Sequence, residues 1–320
     1  MYYVKYILKR LALLLFVFAV ITTMCFVFVK LLPNMPEPQP GKDYDIIMKR
    51  REQLGYDKPI IIQYFRFIKY ALQGNFGVSE VLAKGVDVWD RFVEKLPYTV
   101  TLNVYSILIA IPIGLGLGIF AALKKNKWQD HVLSTAVMIF VSVPSFVYAF
   151  LVQYFLYYKL GWFKALADTS AGPWSFAYFK SIIPAIISMS FGTIAGFTRF
   201  TRAELCEVLT SEYMLLARTK GLSVRQATVR HAMRNAMVPI FPMILGEFIS
   251  IMSGSLIIEG IFTIPGVGAL YLGAIQAKPT PDYNFFMLLS MFYTAIGLLA
   301  GIVIDISYSI IDPRIRMGAR

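Results

Sequence analysis

The sequence predicts an all-α membrane protein that crosses the bilayer six times. Three observations carry this expectation: the composition, six long apolar runs, and a biased distribution of basic residues between them. Of the 320 residues, 57% are hydrophobic and only 16% charged, whereas about a quarter of the residues of a soluble domain are charged. So few charges cannot cover a soluble fold of this length, and a bilayer supplies the apolar solvent. The net charge of +12 would suggest nucleic acid in a soluble chain. In a membrane chain it can record basic loops on one face. Cys25 and Cys206 are the two cysteines, and neither a disulfide framework nor metal-ligand spacing can be built from them.

The amino terminus reads YVKYILKR followed by LALLLFVFAVITTMCFVFVKLL. That run exceeds the apolar core of a signal peptide and has no small-x-small cleavage site. It therefore reads as an uncleaved first membrane helix over residues 7–32, since the hydrocarbon core demands ~20 apolar residues. Further crossings are expected at Tyr98–Leu123, Val132–Tyr158, Ile182–Phe197, Ile240–Phe262 and Phe285–Ile311. The run at 182–197 is short and holds Ser, Gly and Thr, but its neighbours require a crossing there. Pro112, Pro144 and Pro184 are candidate kinks. Gly114–Gly118 and Gly192–Gly196 are candidate close helix contacts.

Six crossings return both termini to one side, and the basic residues say which. Of 31 Lys and Arg, 16 fall in the amino terminus, the KKNKWQD loop, the segment 198–238 and the tail 312–320. The positive-inside rule makes these cytoplasmic. The segment 33–97 would then be extracellular. It is near charge balance, and too long to obey the rule strictly. It opens with the Pro-rich LPNMPEPQPGKD, which cannot be helix. A short polar helix at Asp45–Leu54, a turn at LGYDKP and an amphipathic helix at Ile60–Leu72 follow, so the segment is a small folded cap or a loop. The remaining five-helix core is expected over 98–311.

Acids inside a membrane are costly and mark functional sites by default. Glu247, Glu259 and Asp305 qualify. Glu259 and Asp305 lie near span ends, where capping or loop anchoring accounts for them. Glu247 lies about two turns into the fifth run, with Ser250 and Gly254 on the same helical face. Ser290, Thr294, Gly297, Gly301 and Asp305 form a second stripe in the last run. Small and hydroxyl residues on one face fit close helix packing, and a water-filled path lined by Glu247, Ser250, Gly254, Ser290 and Thr294 is the sharper alternative. His131 and His231 sit in different loops. No metal-ligand cluster, Ser/His/Asp arrangement or phosphate-cradling GxxxxGK[ST] is present, so the chain is expected to be no enzyme and to bind no metal. Any energy source would be bound elsewhere.

The segment Glu212–Pro239, EYMLLARTKGLSVRQATVRHAMRNAMVP, stands apart as a basic helical hairpin. Glu212–Lys220 reads as a short helix with Ser211 as its N-cap. Gly221 permits the left-handed geometry that ends helices, and Ser223 can cap a second helix over Val224–Ala236, after which Pro239 opens the next run. Basic Arg218, Lys220, Arg225, Arg230 and Arg234, with Glu212, His231 and Asn235, surround apolar positions. DNA is excluded by the cytoplasmic membrane topology, which leaves lipid headgroups and a groove on a partner protein equally fitting.

The hairpin's ARTKGLSVRQATVRHAMRNAMVP resembles the cytoplasmic loop of membrane subunits in the ABC importer family for peptides and nickel. The resemblance continues through ILKRLALLLFVF, LGYDKP, KNKWQDHVLSTAVMIFVSVPSFVYAF, IIEGIFTIPGVGALY and DPRIR, nearly the whole chain in order, and is nearest to the B-type subunits of oligopeptide and dipeptide importers. It implies a type I importer permease in a bacterial or archaeal cell membrane. It also implies a homologous second permease as heterodimer partner, two cytoplasmic ABC ATPases that bind the ATP and magnesium, and an extracellular or periplasmic binding protein. The loop would couple the spans to an ATPase through Ala217 and Gly221. The broader family motif has a Glu where this chain has Leu215, and HAMRN replaces its later apolar positions. Two rivals remain at this stage: an ion-gradient carrier or channel using Glu247 and Asp305, and a membrane anchor that recruits a protein through the hairpin.

Overall fold

The computed structural model describes residues 2–32, 38, 40–253 and 255–311. Among them the chain is helical, with no strand and a single isolated bridge between Val78 and Asp87. The helices are α1 (Tyr2–Leu31), α2 (Tyr44–Leu54), α3 (Ile60–Ala71), α4 (Val88–Leu123), α5 (Trp128–Ser142), α6 (Ser145–Gln153), α7 (Phe176–Leu209), α8 (Glu212–Thr219), α9 (Val224–Ala227), α10 (Met233–Ser250), α11 (Leu256–Ile261), α12 (Val267–Gln276) and α13 (Tyr283–Ile311). Four are long and apolar enough to cross a membrane: α1, α4, α7 and α13. The pair α5–α6 makes a fifth if counted as one span.

The expected runs at 98–123, 182–197 and 285–311 are cores of longer helices. α4 starts ten residues before Tyr98. α7 runs for 34 residues, because Ser175 accepts from Tyr178 N at 3.1 Å and caps it early, and because the polar stretch after Phe197 stays helical. At 1.5 Å per residue α7 is ~51 Å long, well beyond a hydrocarbon core of ~30 Å. The run Val132–Tyr158 is not one helix. Pro144 lacks an amide proton and forces Val143 into extended backbone, with ψ 128°. The two arms turn through 101° there. Ile240–Phe262 is also broken. α10 ends at Ser250, and α11 restarts with Ser255 accepting from Ile258 N at 3.2 Å. Pro239 and Pro242 lie inside α10, so Pro239 does not open that helix.

By internal contacts the chain forms two units, residues 1–100 with 252–299, and residues 101–251 with 300–320. In the first, α1, α3 and the start of α13 close around Phe26, Val29, Phe67, Tyr283 and Met287. The start of α4 packs on α12 and α13 through Phe92, Val267, Phe285 and Leu289. The segment 44–72 is folded as expected, apart from one-residue shifts at helix ends. Arg51 of α2 donates from Nε to Glu80 at 2.8 Å. Burial pushes the Glu80 carboxyl above its ordinary range, while the Arg51 hydrogen bond pulls it back.

The second unit is built on α7, which packs against α5, α6 and α10. Ile107, Ile111, Phe197 and Ile240 form its middle. Helices in lipid gain nothing from hiding apolar surface, so they associate through close van der Waals contact and interhelical hydrogen bonds. Both are present. Thr198 Oγ1 donates to the Gly114 carbonyl at 3.2 Å. A Cβ at Gly118 would lie 2.6 Å from the Thr201 Cβ and 2.8 Å from the Thr198 carbonyl oxygen. Gly114 and Gly118 thus make the close contact the sequence suggests. Gly192 meets only the Tyr148 hydroxyl and Gly196 faces open space, so that second pair is not a helix contact within the unit.

Gly118→Val is therefore expected to destabilise the chain by about 1–3 kcal/mol through overpacking. Gly116→Val, whose added atoms meet nothing within 4 Å, should leave it unchanged. Thermal unfolding in detergent measures both, and equal melting temperatures would contradict the packing assigned to Gly118.

Candidate functional site

The hairpin begins where α7 ends. α8 follows Ser211, whose backbone is in the cap conformation at φ −74°, ψ 154°. Its hydroxyl, however, donates back to the Val208 carbonyl at 2.6 Å instead of capping α8. Gly221 takes φ +87°, a left-handed conformation that Cβ-bearing residues adopt at a cost. It closes α8 with its amide donating to Arg218 O at 3.0 Å. Ser223 then caps the second helix. Its hydroxyl accepts from Gln226 N at 3.3 Å, and Gln226 Oε1 accepts from Ser223 N at 3.1 Å. This is the reciprocal capping box. The second helix is not regular. A widened turn occupies Thr228–Ala232 before α10 continues, so Val224–Ala236 runs directly into the next long helix.

One face of this hairpin is fixed. Ala217, Ala227, Ala232 and Ala236 are buried with Met214 against Leu205 and Cys206 of α7 and Ala122 of α4. Small side chains let these short helices lie close to α7. The end of α7 is itself anchored, because Arg202 donates from its Nη2 to Asp130 of α5 at 2.7 Å. Asp130, only 1% exposed, also accepts from Asn126 N at 2.9 Å. The opposite face is open. Leu215, Leu216 and Val229 are each more than half exposed, and Glu212, Arg218, Lys220, Gly221, Ser223, Arg230, His231, Arg234 and Asn235 are exposed around them. Ala217 therefore sits on the anchored face, apart from the other predicted residues. The side chain of Arg225 lies outside the described residues.

The proposed path residues separate between the two units. Glu247 and Ser250 share one face of α10, both half-buried, and the Ser250 hydroxyl donates to Glu247 O at 2.8 Å. Ser290 and Thr294 share a face of α13, where Thr294 Oγ1 donates to Ser290 O at 2.7 Å and Ser290 Oγ lies 3.3 Å from the Tyr271 hydroxyl. Gly254 lies outside the described residues. Two other carboxylates are fully buried, and both hold structure. Glu259 accepts from Thr99 Oγ1 at 2.8 Å and from Ala269 N at 2.9 Å, at the start of α12. Asp282 Oδ2 accepts from Ser79 Oγ at 2.6 Å and from Val81 N and Leu82 N at 3.0 Å each. Capping accounts for Glu259, as the sequence suggests. Asp282 escaped the sequence reading, though an Asp directly before a long helix is a cap signal. Among the described residues no group of His, Cys, Asp and Glu is placed to hold a metal ion.

A family described as the binding-protein-dependent transport system inner membrane component matches residues 114–317, which include the hairpin and its anchors. The chain belongs to this family. Relatives extend the likeness to nearly the full length. The dipeptide transport system permease protein DppB of Lactococcus lactis subsp. cremoris is 34% identical over 314 residues, covering 98% of this chain and 100% of that protein. The glutathione transport system permease protein GsiC of Salmonella paratyphi A is 31% identical over 317 residues, covering 98% and 99%. The same-named protein of Escherichia coli K12 matches to the same extent.

As a binding-protein-dependent permease, the chain is a membrane component and no enzyme; it works with other components of a transport system. The carrier built on Glu247 and Asp305 gives way to this assignment. Gly221→Val, with no neighbour within 4 Å of the added Cβ, strains only the backbone. It should leave insertion and abundance unchanged and lower uptake about ten-fold, the effect of ~1.4 kcal/mol of left-handed strain. Membrane fractionation and uptake assays on the same cells test this, and full uptake would contradict a working elbow at Gly221.

Proposed function

We propose that this chain is one of two homologous membrane subunits of an ATP-driven importer for small peptides. The observation that carries the reading is the two-faced hairpin. Its alanine face is fixed to α7, and its outer face presents Leu215, Leu216 and Val229 among Arg218, Lys220, Arg230, His231 and Arg234. An apolar patch rimmed by basic groups suits a groove on a protein better than a headgroup layer, which would not need exposed leucines held rigidly at one site. The groove belongs to a cytoplasmic ABC ATPase, two of which bind ATP and magnesium and close on each other. Ala217 contributes by seating the loop, and the exposed residues by contact.

Movement of the ATPase then moves hairpin and α7 as one body. α7 is the hub of its unit, so the motion reaches α5, α6 and α10. The basic bias of the termini and of 198–238 supports a cytoplasmic hairpin, with 33–97 as an extracellular cap near an extracellular or periplasmic binding protein. The broken segment α10–α11 serves as the sixth crossing, since irregular backbone at membrane depth is tolerated where protein or a water-filled cavity lies beside it, and the core is 98–311 with a cytoplasmic tail from 312. Peptide cargo is supported by full-length relatives named for dipeptide and for glutathione. Peptides need a wide path with few charges, consistent with Glu247, Ser250, Gly254, Ser290 and Thr294 as its polar lining.

A cysteine at Leu215, introduced after replacing Cys25 and Cys206, should cross-link to the ATPase in membranes, while one at Gly116 should not. No ATPase adduct in well-expressed protein would overturn the docking. Separately, Glu247→Gln should leave uptake within about two-fold, because the transport energy comes from ATP and not from a proton held by one carboxylate. A change in cargo, tested with labelled di- and tripeptides against nickel ions, would correct the substrate and leave the coupling standing.

A further inference from the structure

A cavity of about 230 Å³ lies between α4, α5 and α7, apart from the hairpin's outer face and from the proposed path residues. Ala121, Leu133, Val137, Met138 and Ala203 line it. The hydroxyls of Ser134 and Thr198 in its wall are spent on Asp130 and on the Gly114 carbonyl, so water inside would find few partners. Arg199 and Arg202 complete a wall that is nearly wholly apolar. Both therefore contribute their stems and carry their charged heads at its edge. The Arg202 head is engaged by Asp130. Arg199 is exposed, and among the described residues its guanidinium has no hydrogen bond, ion pair or aromatic ring as partner.

The depth and sign of this edge say what fits. From Phe176 to Arg199 the helix α7 rises ~35 Å, close to the thickness of a hydrocarbon core of ~30 Å. Trp174 and Phe176 are exposed at one interface, which puts Arg199 at headgroup depth at the other. Val132, Met138 and Ile139 of α5 are each more than half exposed, and give the cavity an apolar approach that a soluble compound would not use. Lys124, Lys125 and Lys127 follow Ala121 in the turn to α5. Of the acids in these segments, Asp130 is held by Arg202, and Glu204 and Glu207 lie beyond Arg202 on α7. The edge is thus positive, and basic pockets between membrane helices select lipids of net negative charge.

We propose that this cavity seats one acyl chain of an anionic phospholipid whose phosphate meets Arg199. The full-length chain can be released in mild detergent from vesicles holding equal amounts of phosphatidylglycerol and phosphatidylcholine, and weighed intact by native mass spectrometry. Phosphatidylglycerol should remain bound at about one per chain, and phosphatidylcholine about ten-fold less. Arg199→Gln should lower phosphatidylglycerol retention about ten-fold by removing one charge-assisted hydrogen bond, and Arg199→Lys should keep most of it. Ala203→Phe, at an exposed position of the wall, should lower retention as much by filling the acyl seat. Arg199 bonds nothing structural, so Arg199→Gln should melt with the wild type in lipid-free detergent. Lys9→Gln removes an equal, exposed charge from α1 and should change nothing. Equal retention of the two lipids, unchanged retention in Arg199→Gln or Ala203→Phe, or an equal loss in Lys9→Gln would overturn the site. Saturable binding of soluble glycerol phosphate without retention of the lipid would overturn the lipid as its occupant.

Discussion

In the coupling we propose, the hairpin at Glu212–Ala236 can transmit force only because its alanine face is held against α7. Ala217, Ala227, Ala232 and Ala236 allow an approach that larger side chains would prevent, and Leu205 and Cys206 complete the seal. A loop without that seat would absorb a partner's movement in its own backbone. The Asp130–Arg202 pair supports the seat, since it ties the end of α7 to the first turn of α5. One partner there is almost wholly buried, and a buried charge left alone is worth several kcal/mol of destabilisation. The pair fixes position as well as stability.

The other unit uses the same device with different residues. Glu259 and Asp282 are buried carboxylates, and each collects hydrogen-bond donors from segments far apart in the chain. Thr99 and Glu259 are 160 residues apart, and Ser79 and Asp282 are 203 apart. Each carboxylate meets a helix start, where backbone N–H groups lack intrahelical partners. Burial is tolerable because every contact is a donor. Removing the carboxylate would orphan several amides at once. In a chain of low charge, its few buried acids thus organise irregular backbone, the α11–α12 corner and the 78–83 loop.

Much of this was legible in the sequence. The apolar run of α1 and the two helices α2 and α3 follow from composition and period. The elbow follows from Gly221 and Ser223, because a Gly then Ser between two helical patterns fixes both a stop and a start. The breaks in two spans were not legible. Hydropathy counts side chains and reads Val132–Tyr158 and Ile240–Phe262 as continuous, although the backbone bends at Pro144 and restarts at Ser255. Pro144 announces a kink but not a 101° turn, which depends on what packs against each arm. Nor could the sequence show which hairpin residues face inward. Ala217 belongs to a recognisable pattern, yet only packing shows that it seats the loop and that Leu215 and Leu216 face outward. Links such as Thr99 to Glu259 are invisible locally, since each residue has an ordinary role in its own segment.

The proposed coupling requires hairpin and α7 to move as one body. A disulfide between the native Cys206 of α7 and a cysteine placed at Met214, Ala217 or Ala232 tests this directly, in the assembled transporter reconstituted into proteoliposomes, with ATP hydrolysis and peptide uptake measured together before and after oxidation. If they move as one body, the cross-linked transporter keeps both activities. Uptake that vanishes on oxidation and returns on reduction, while hydrolysis continues, would contradict it, because the hairpin would then have to hinge on α7 in order to work.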